Sequence, residues 1–155
     1  MNGAIESGAA LLFGTVSALV PAVNAEAYAI VVAARMQPAV APAVVVALAA
    51  GQTIGKLTLF EAARQGSGPL ARRFAQRSAG RASAWRERIG TCLRSRRTGL
   101  PVVLASATVG MPPLAAVSLA AGASGQRRWE FAAACLLGRV VRFAVLVLPA
   151  AWALS

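Results

Sequence analysis

The chain has 155 residues, of which 57% are hydrophobic and 14% are charged, and its mean hydropathy is +0.63. A soluble domain carries about 25% charged residues, so this composition argues against one. It indicates a polytopic membrane protein, with a buried, alanine-rich helical domain as the alternative. The formal net charge is +11, from 16 basic and 5 acidic residues.

The basic residues are concentrated in one hydrophilic segment, residues 64–98. Its arginines are Arg64, Arg72, Arg73, Arg77, Arg81, Arg86, Arg88, Arg94, Arg96 and Arg97, and its one acidic residue is Glu87. Between membrane segments the positive-inside rule predicts such a loop to be cytoplasmic, so we expect no nucleic-acid partner. Trp85, Ile89 and Leu93 recur every four residues, which predicts amphipathic helices on anionic lipid or a solvated loop.

Residue types exclude several kinds of site. The chain has no histidine and two separate cysteines, Cys92 in the basic segment and Cys135 in an apolar one, so zinc, haem and iron–sulfur sites lack ligands. Without histidine there is no Ser–His pair, and the carboxylates do not cluster. We therefore expect no metal, no cofactor and no enzymatic activity.

The first apolar stretch, residues 8–35, is interrupted at Pro21, and Glu26 follows this proline within the stretch. Proline within a helix removes a backbone donor and clashes with the preceding turn. Each half is shorter than the about 20 residues that cross a bilayer, so we expect a re-entrant hairpin, with a single kinked crossing as the alternative. The sequence around Ala25 is similar to a signal-peptide cleavage site, but no basic region precedes it, so we expect no cleavage.

Residues 38–63 are long and apolar enough to cross the membrane once. Gly51 and Gly55 lie four residues apart, on one face of the predicted helix. Such a pair allows another helix to approach closely, so these two residues are expected to serve helix packing.

The second apolar stretch, residues 99–122, is interrupted at Pro112 and Pro113. A basic pair, Arg127 and Arg128, then precedes a second predicted crossing over residues 129–154. Since both flanks of this stretch are basic, we expect it to enter and leave from the cytoplasm. The first hairpin then enters from outside.

Short internal similarities support two units of opposite orientation. Ser17-Ala-Leu-Val20 is similar to Ser106-Ala-Thr-Val109, and Gly55-Lys56 is similar to Gly138-Arg139. The predicted fold is a single all-α membrane domain over residues 1–155. It has two proline-broken re-entrant hairpins and two transmembrane helices in an inverted repeat, an arrangement typical of secondary transporters, with the basic segment added.

Four ionisable residues within or near the apolar segments are candidates for substrate or proton binding: Glu26, Lys56, Arg139 and Arg142. Charges within a membrane are costly and mark functional sites by default. Arg139 and Arg142 share a helix face and could hold a phosphate through paired hydrogen bonds, or reach the cytoplasmic interface. The structural alternatives are pairing of Glu26 with Arg35 and of Lys56 with Glu61.

These residues together resemble the DedA family, also called VTT or SNARE-associated membrane proteins. The matching residues are Pro21 to Glu26, Gly51 to Lys56 with Phe60 and Arg64, and Ala120 to Gly122 with Phe131 and Gly138. Lys56 replaces the family's acid, and Thr108 and Leu114 stand where the second hairpin has two arginines. Arg139 and Arg142 are the candidate replacements for that charge.

The resemblance implies a translocase for a lipid or a lipid phosphate such as undecaprenyl phosphate. Its partners would be membrane lipids, and the chain could form a homodimer. The alanine- and arginine-rich composition favours a bacterial plasma membrane. The alternatives are a non-transporting scaffold or accessory subunit, and a transporter of ions or small solutes.

Overall fold

The computed structural model describes residues 3–19, 25–33, 35, 38–66 and 83–153. Over these ranges the chain is helical and has no β-strand, which confirms the all-α class. The helices are α1 (Gly3–Leu19), α2 (Ala25–Ala33), α3 (Ala41–Arg64), α4 (Ser83–Arg94), α5 (Arg96–Val109), α6 (Leu114–Ala123) and α7 (Arg128–Ala153). A 3-10 turn, Pro38–Val40, precedes α3.

Two of the described helices, α3 and α7, are long and apolar enough to cross a membrane by length and composition. They have 24 and 26 residues. At the α-helical rise they measure about 36 and 39 Å, against about 30 Å for the hydrocarbon core of a bilayer. Their positions agree with the crossings predicted for residues 38–63 and 129–154.

The helices of the two broken stretches are shorter. Helices α1 and α2 contain 17 and 9 residues, and α5 and α6 contain 14 and 10, so the longest measures only about 26 Å. The predicted bend at Pro21 lies outside the described residues. Helix α1 begins at Gly3 and so includes residues before the apolar stretch; Glu6 lies in its first turn, where a carboxylate is favourable.

The break between α5 and α6 contains Pro112 and Pro113, as predicted. Helix α5 ends at Gly110, whose φ of 88° is a conformation that glycine adopts readily. The amide of Gly110 donates to the Ser106 carbonyl at 2.9 Å, and the buried Ser106 hydroxyl donates to the Pro112 carbonyl at 2.5 Å. Backbone groups freed at this break are therefore hydrogen-bonded locally.

The chain divides into two compact units at the middle of each long helix. Unit 1 comprises residues 1–55 and 139–155, and unit 2 comprises residues 56–138. Unit 1 therefore contains α1, α2, the first half of α3 and the second half of α7. Unit 2 contains α4, α5, α6, the second half of α3 and the first half of α7.

In unit 1, α1 packs directly on the backbone of α3. A Cβ added to Gly14 would lie 2.6 Å from the Leu48 carbonyl oxygen, and one added to Gly51 would overlap the carbonyl of Leu11. The rings of Phe13 and Tyr28 stack at a centroid distance of 4.0 Å and join α1 to α2. The backbones of α1 and α3 therefore approach each other closely at Gly14 and Gly51.

In unit 2, the core forms around Phe60 and Phe131, whose rings stack at 4.8 Å. A Cβ added to Gly122 in α6 would overlap the Phe60 carbonyl. Ile89 and Leu93 of α4 are buried in the same core. The helical spacing predicted in the basic segment is therefore confirmed over α4, but these two side chains are covered by protein and do not face lipid.

One glycine contact recurs with the same dimensions in the two units. A Cβ on Gly55 would lie 2.5 Å from the Ala18 Cβ and 3.0 Å from the Thr15 carbonyl oxygen. A Cβ on Gly138 would lie 2.5 Å from the Ala107 Cβ and 3.0 Å from the Leu104 carbonyl oxygen. In each case the alanine follows a buried serine, and the carbonyl lies three residues before the alanine.

Candidate functional site

Glu26 and Arg142 form an ion pair in unit 1. The Arg142 Nε donates to Glu26 Oε1 at 2.8 Å, and the Arg142 Nη2 donates to the same oxygen. The residues are 116 positions apart in the chain. Both residues are candidates from the sequence, which suggested Arg35 as the alternative partner of Glu26. In the structure Arg142 is the partner.

Local structure explains the position of each member of the pair. Glu26 lies in the first turn of α2, where unpaired amides and the helix dipole favour a carboxylate. Arg142 lies on α7 directly before Phe143, which is fully buried. The Arg142 and Glu26 side chains are 20% and 39% exposed, so the protein does not enclose the pair completely.

Arg139 lies one turn before Arg142 on α7, and its Nε is buried. A spacing of three residues places both guanidinium groups on the same side of the helix. Unit 1 therefore brings together three of the four ionisable candidates: Glu26 and Arg142 in direct contact, and Arg139 on the adjacent turn. Two arginines of this kind could bind a phosphate with several charge-assisted hydrogen bonds.

Lys56, the fourth candidate, is the first residue of unit 2. It is buried, with 7% of the residue exposed, although it lies in the middle of the long helix α3. Glu61, its considered partner, lies 3.7 Å from the Nε of Arg128. A buried lysine within a helix that could cross a membrane keeps its status as a functional candidate.

A buried polar pair that sequence analysis missed lies at the end of α1. The Gln52 Nε2 donates to the Ser17 hydroxyl at 3.0 Å, and that hydroxyl donates to the Gly14 carbonyl at 2.9 Å. Gln52 Oε1 is buried and has no hydrogen-bond partner among the described residues. The available signal was the position of Gln52, a polar amide between two closely packed glycines in an apolar helix.

The described residues include two of the three predicted bend prolines and all of the predicted packing glycines. Pro112 and Pro113 lie in the break between α5 and α6, and Gly55 and Gly138 each lie against an alanine of a neighbouring helix. Among the described residues, no group of three or more histidine, cysteine, aspartate or glutamate side chains could hold a metal ion.

A scan against protein-family models found no match, and searches of curated proteins and of solved structures found none either. We therefore infer the function from the residues and their geometry.

Proposed function

We propose that this chain is a DedA-like translocase that moves a lipid or a lipid phosphate across a bacterial plasma membrane. The observation that carries the proposal is the Glu26–Arg142 contact. It joins the second helix of one broken hairpin to a helix long enough to cross the membrane. Charged groups in such segments are costly and occur where a substrate or proton pathway needs them.

The proposed architecture is an inverted repeat in which the two hairpins enter from opposite sides of the membrane. Its support is the matching composition of the units, since each contains one hairpin and half of each long helix. Further support comes from the glycine contacts of equal dimensions at Gly55 and Gly138. Secondary transporters with this architecture bind substrate near the membrane midplane, beside broken helices.

In the proposed mechanism, a phosphate headgroup binds to Arg142 and Arg139 while the lipid tails stay in the bilayer. Arg142 already presents two donors to one carboxylate oxygen of Glu26, and a phosphate oxygen can accept the same two donors. Glu26 would release Arg142 to the phosphate and take it back afterwards. Arg142 would therefore face an anionic group whether substrate is bound or absent.

The second hairpin does not supply this charge. The Thr108 hydroxyl donates to the Leu104 carbonyl at 2.8 Å, and Leu114 is 4% exposed within the core of unit 2. These are the positions at which the DedA resemblance leads one to expect arginines. We therefore assign the positive charge that binds the phosphate to Arg139 and Arg142 of α7.

A lipid-flipping assay in proteoliposomes tests the proposal, with a fluorescent prenyl phosphate as substrate. We expect Glu26→Gln and Arg142→Ala each to reduce the flipping rate by about tenfold or more, because loss of a charge-assisted hydrogen bond costs about 1.5–3 kcal/mol. Arg35→Ala is the matched control, since Arg35 is exposed, and it should retain the full rate. Flipping at the wild-type rate by both site variants would contradict the proposal.

A second candidate function is a non-transporting scaffold or accessory subunit. It is favoured by the close backbone contacts at Gly51, Gly55 and Gly138 and by the uncharged residues Thr108 and Leu114. It predicts co-purification with a partner protein and tolerance of substitutions at Glu26. A small-solute or ion transporter would instead show uptake that does not depend on a lipid substrate.

A further inference from the structure

The first turns of α5 and α7 lie side by side in unit 2. Gln126 precedes α7, and its Nε2 is 3.6 Å from the position that a Cβ on Gly99, in the first turn of α5, would occupy. The two helices contain 14 and 26 residues. The N-terminal ends of the two helices, which are the positive ends of their dipoles, therefore lie close together. In α5 the Thr98 and Gly99 amides already donate to the Ser95 carbonyl.

Basic residues flank this place in the chain, although a cation at a helix N-terminus is opposed by the dipole. One buried carboxylate, that of Glu130, also lies in the first turn of α7. Arg94 ends α4, Arg97 lies in the first turn of α5, and Arg127 precedes α7; all three are exposed. None of them has an ion pair or a side-chain hydrogen bond with a residue that the structure describes. An anion bound here would interact favourably with the arginines and with both helix ends.

The side chain of Gln126 provides an independent reason to expect a ligand. The residue is 8% exposed, and neither its Nε2 nor its Oε1 has a hydrogen-bond partner among the described residues. The turn holds it in place, because the Gln126 amide donates to the Ala121 carbonyl at 3.3 Å and Gly125 has a φ of 76°. Buried amide groups normally have hydrogen-bond partners. Among the described residues, the Gln126 side chain has neither an acceptor for its Nε2 nor a donor for its Oε1.

We propose that this corner of unit 2 binds a phosphate group, either on the headgroup of an anionic lipid or as a free ion. Gln126 Nε2 and the first-turn amides of α7 would donate to the phosphate oxygens. Arg97 and Arg127 would supply the positive charge, and a hydroxyl of the ligand would donate to Gln126 Oε1. The site is separate from Glu26 and Arg142, and it does not depend on transport.

Binding to the purified full chain in detergent tests this site. The probes are inorganic phosphate, dihexanoyl phosphatidylglycerol and dihexanoyl phosphatidylcholine, and the signal is tryptophan fluorescence, since Trp129 is exposed in the first turn of α7. We expect saturable binding of the phosphatidylglycerol, about tenfold tighter than that of the phosphatidylcholine. Gln126→Glu and Arg127→Gln should each weaken it by about tenfold, the scale of one hydrogen bond to a charged group.

Arg88→Gln is the matched control, because Arg88 is an exposed arginine within α4, away from its ends. It should change the affinity by less than about twofold, within the small effect of one solvent-exposed charge.

Binding of inorganic phosphate with the same variant sensitivity identifies a free-ion site, whereas binding of the lipid alone identifies a headgroup site; either result supports the proposal. Equal losses in Arg88→Gln and Arg127→Gln, or no saturable binding, would overturn it. If Gln126→Glu does not fold, Arg97→Gln and Arg127→Gln, both at exposed positions, decide the outcome.

Discussion

At the scale of single residues, the pairing of Glu26 with Arg142 determines what each can do. An arginine within a membrane-spanning helix is costly when it is alone, and a nearby carboxylate lowers that cost. The sequence identifies both residues as candidates, because both are charged and lie in or near apolar segments. It does not identify the pair, since 116 positions separate them and only the packing of α2 beside α7 brings them together.

A double-mutant cycle measures this pair. Arg142→Met leaves Glu26 partly buried without its partner, and we expect it to lower the free energy of unfolding by about 1–2 kcal/mol, less than for a fully buried pair because both side chains remain partly exposed. Adding Glu26→Gln to Arg142→Met should restore most of that loss. Unfolding in a detergent titration gives these values; additive losses would show that the two side chains do not interact.

Gln126 is an example of a residue whose burial the sequence could not predict. A glutamine in a short polar turn next to two arginines is expected to be exposed. It is buried because the turn that ends α6 directs it against the first turn of α5. This contact depends on the packing of α5 against α6 and α7, which no local pattern contains.

At the scale of helices, the sequence predicts most of the described architecture. Composition and length indicate α3 and α7, and the prolines locate the break between α5 and α6. The apolar stretch from residue 8 does not show that α1 begins at Gly3, because polar residues at the beginning of a helix resemble a loop. The apolar face of α4 was predicted from its four-residue spacing, but its packing partner was not, because spacing identifies a face and does not identify what covers it.

Alanine substitutions test the glycine contacts of α3 and α7. We expect Gly55→Ala and Gly138→Ala to destabilise the protein by similar amounts, about 1–2 kcal/mol, because each new methyl would lie 2.5 Å from an alanine Cβ and the cost of overpacking exceeds the gain in helix propensity. Gly90→Ala in α4 is the control, since an added Cβ there meets nothing within 4 Å. It should stabilise the helix by up to about 1 kcal/mol. Unequal effects at Gly55 and Gly138 would argue against equivalent contacts.

At the scale of the whole molecule, the proposed function requires that α7 faces the membrane. Trp129 and Trp152 are exposed near its two ends, and Leu137, Val141 and Val145 are exposed between them at four-residue intervals. Aromatic residues at both ends of an apolar surface are typical of a helix that crosses a bilayer. In the proposed topology, the arginines before Trp129 put that end on the cytoplasmic side.

The measurement that tests the central claim most directly is cysteine accessibility in intact cells. Single cysteines would be introduced at Asn24, three residues after Pro21 in the sequence, and at Met111, exposed between α5 and α6, in a chain that lacks Cys92 and Cys135. Two hairpins that enter from opposite sides predict that a membrane-impermeant reagent labels position 24 from outside. Position 111 should be labelled only after the cytoplasm is opened. Labelling of both positions from the same side, or of neither, would contradict the inverted repeat and with it the proposed translocase.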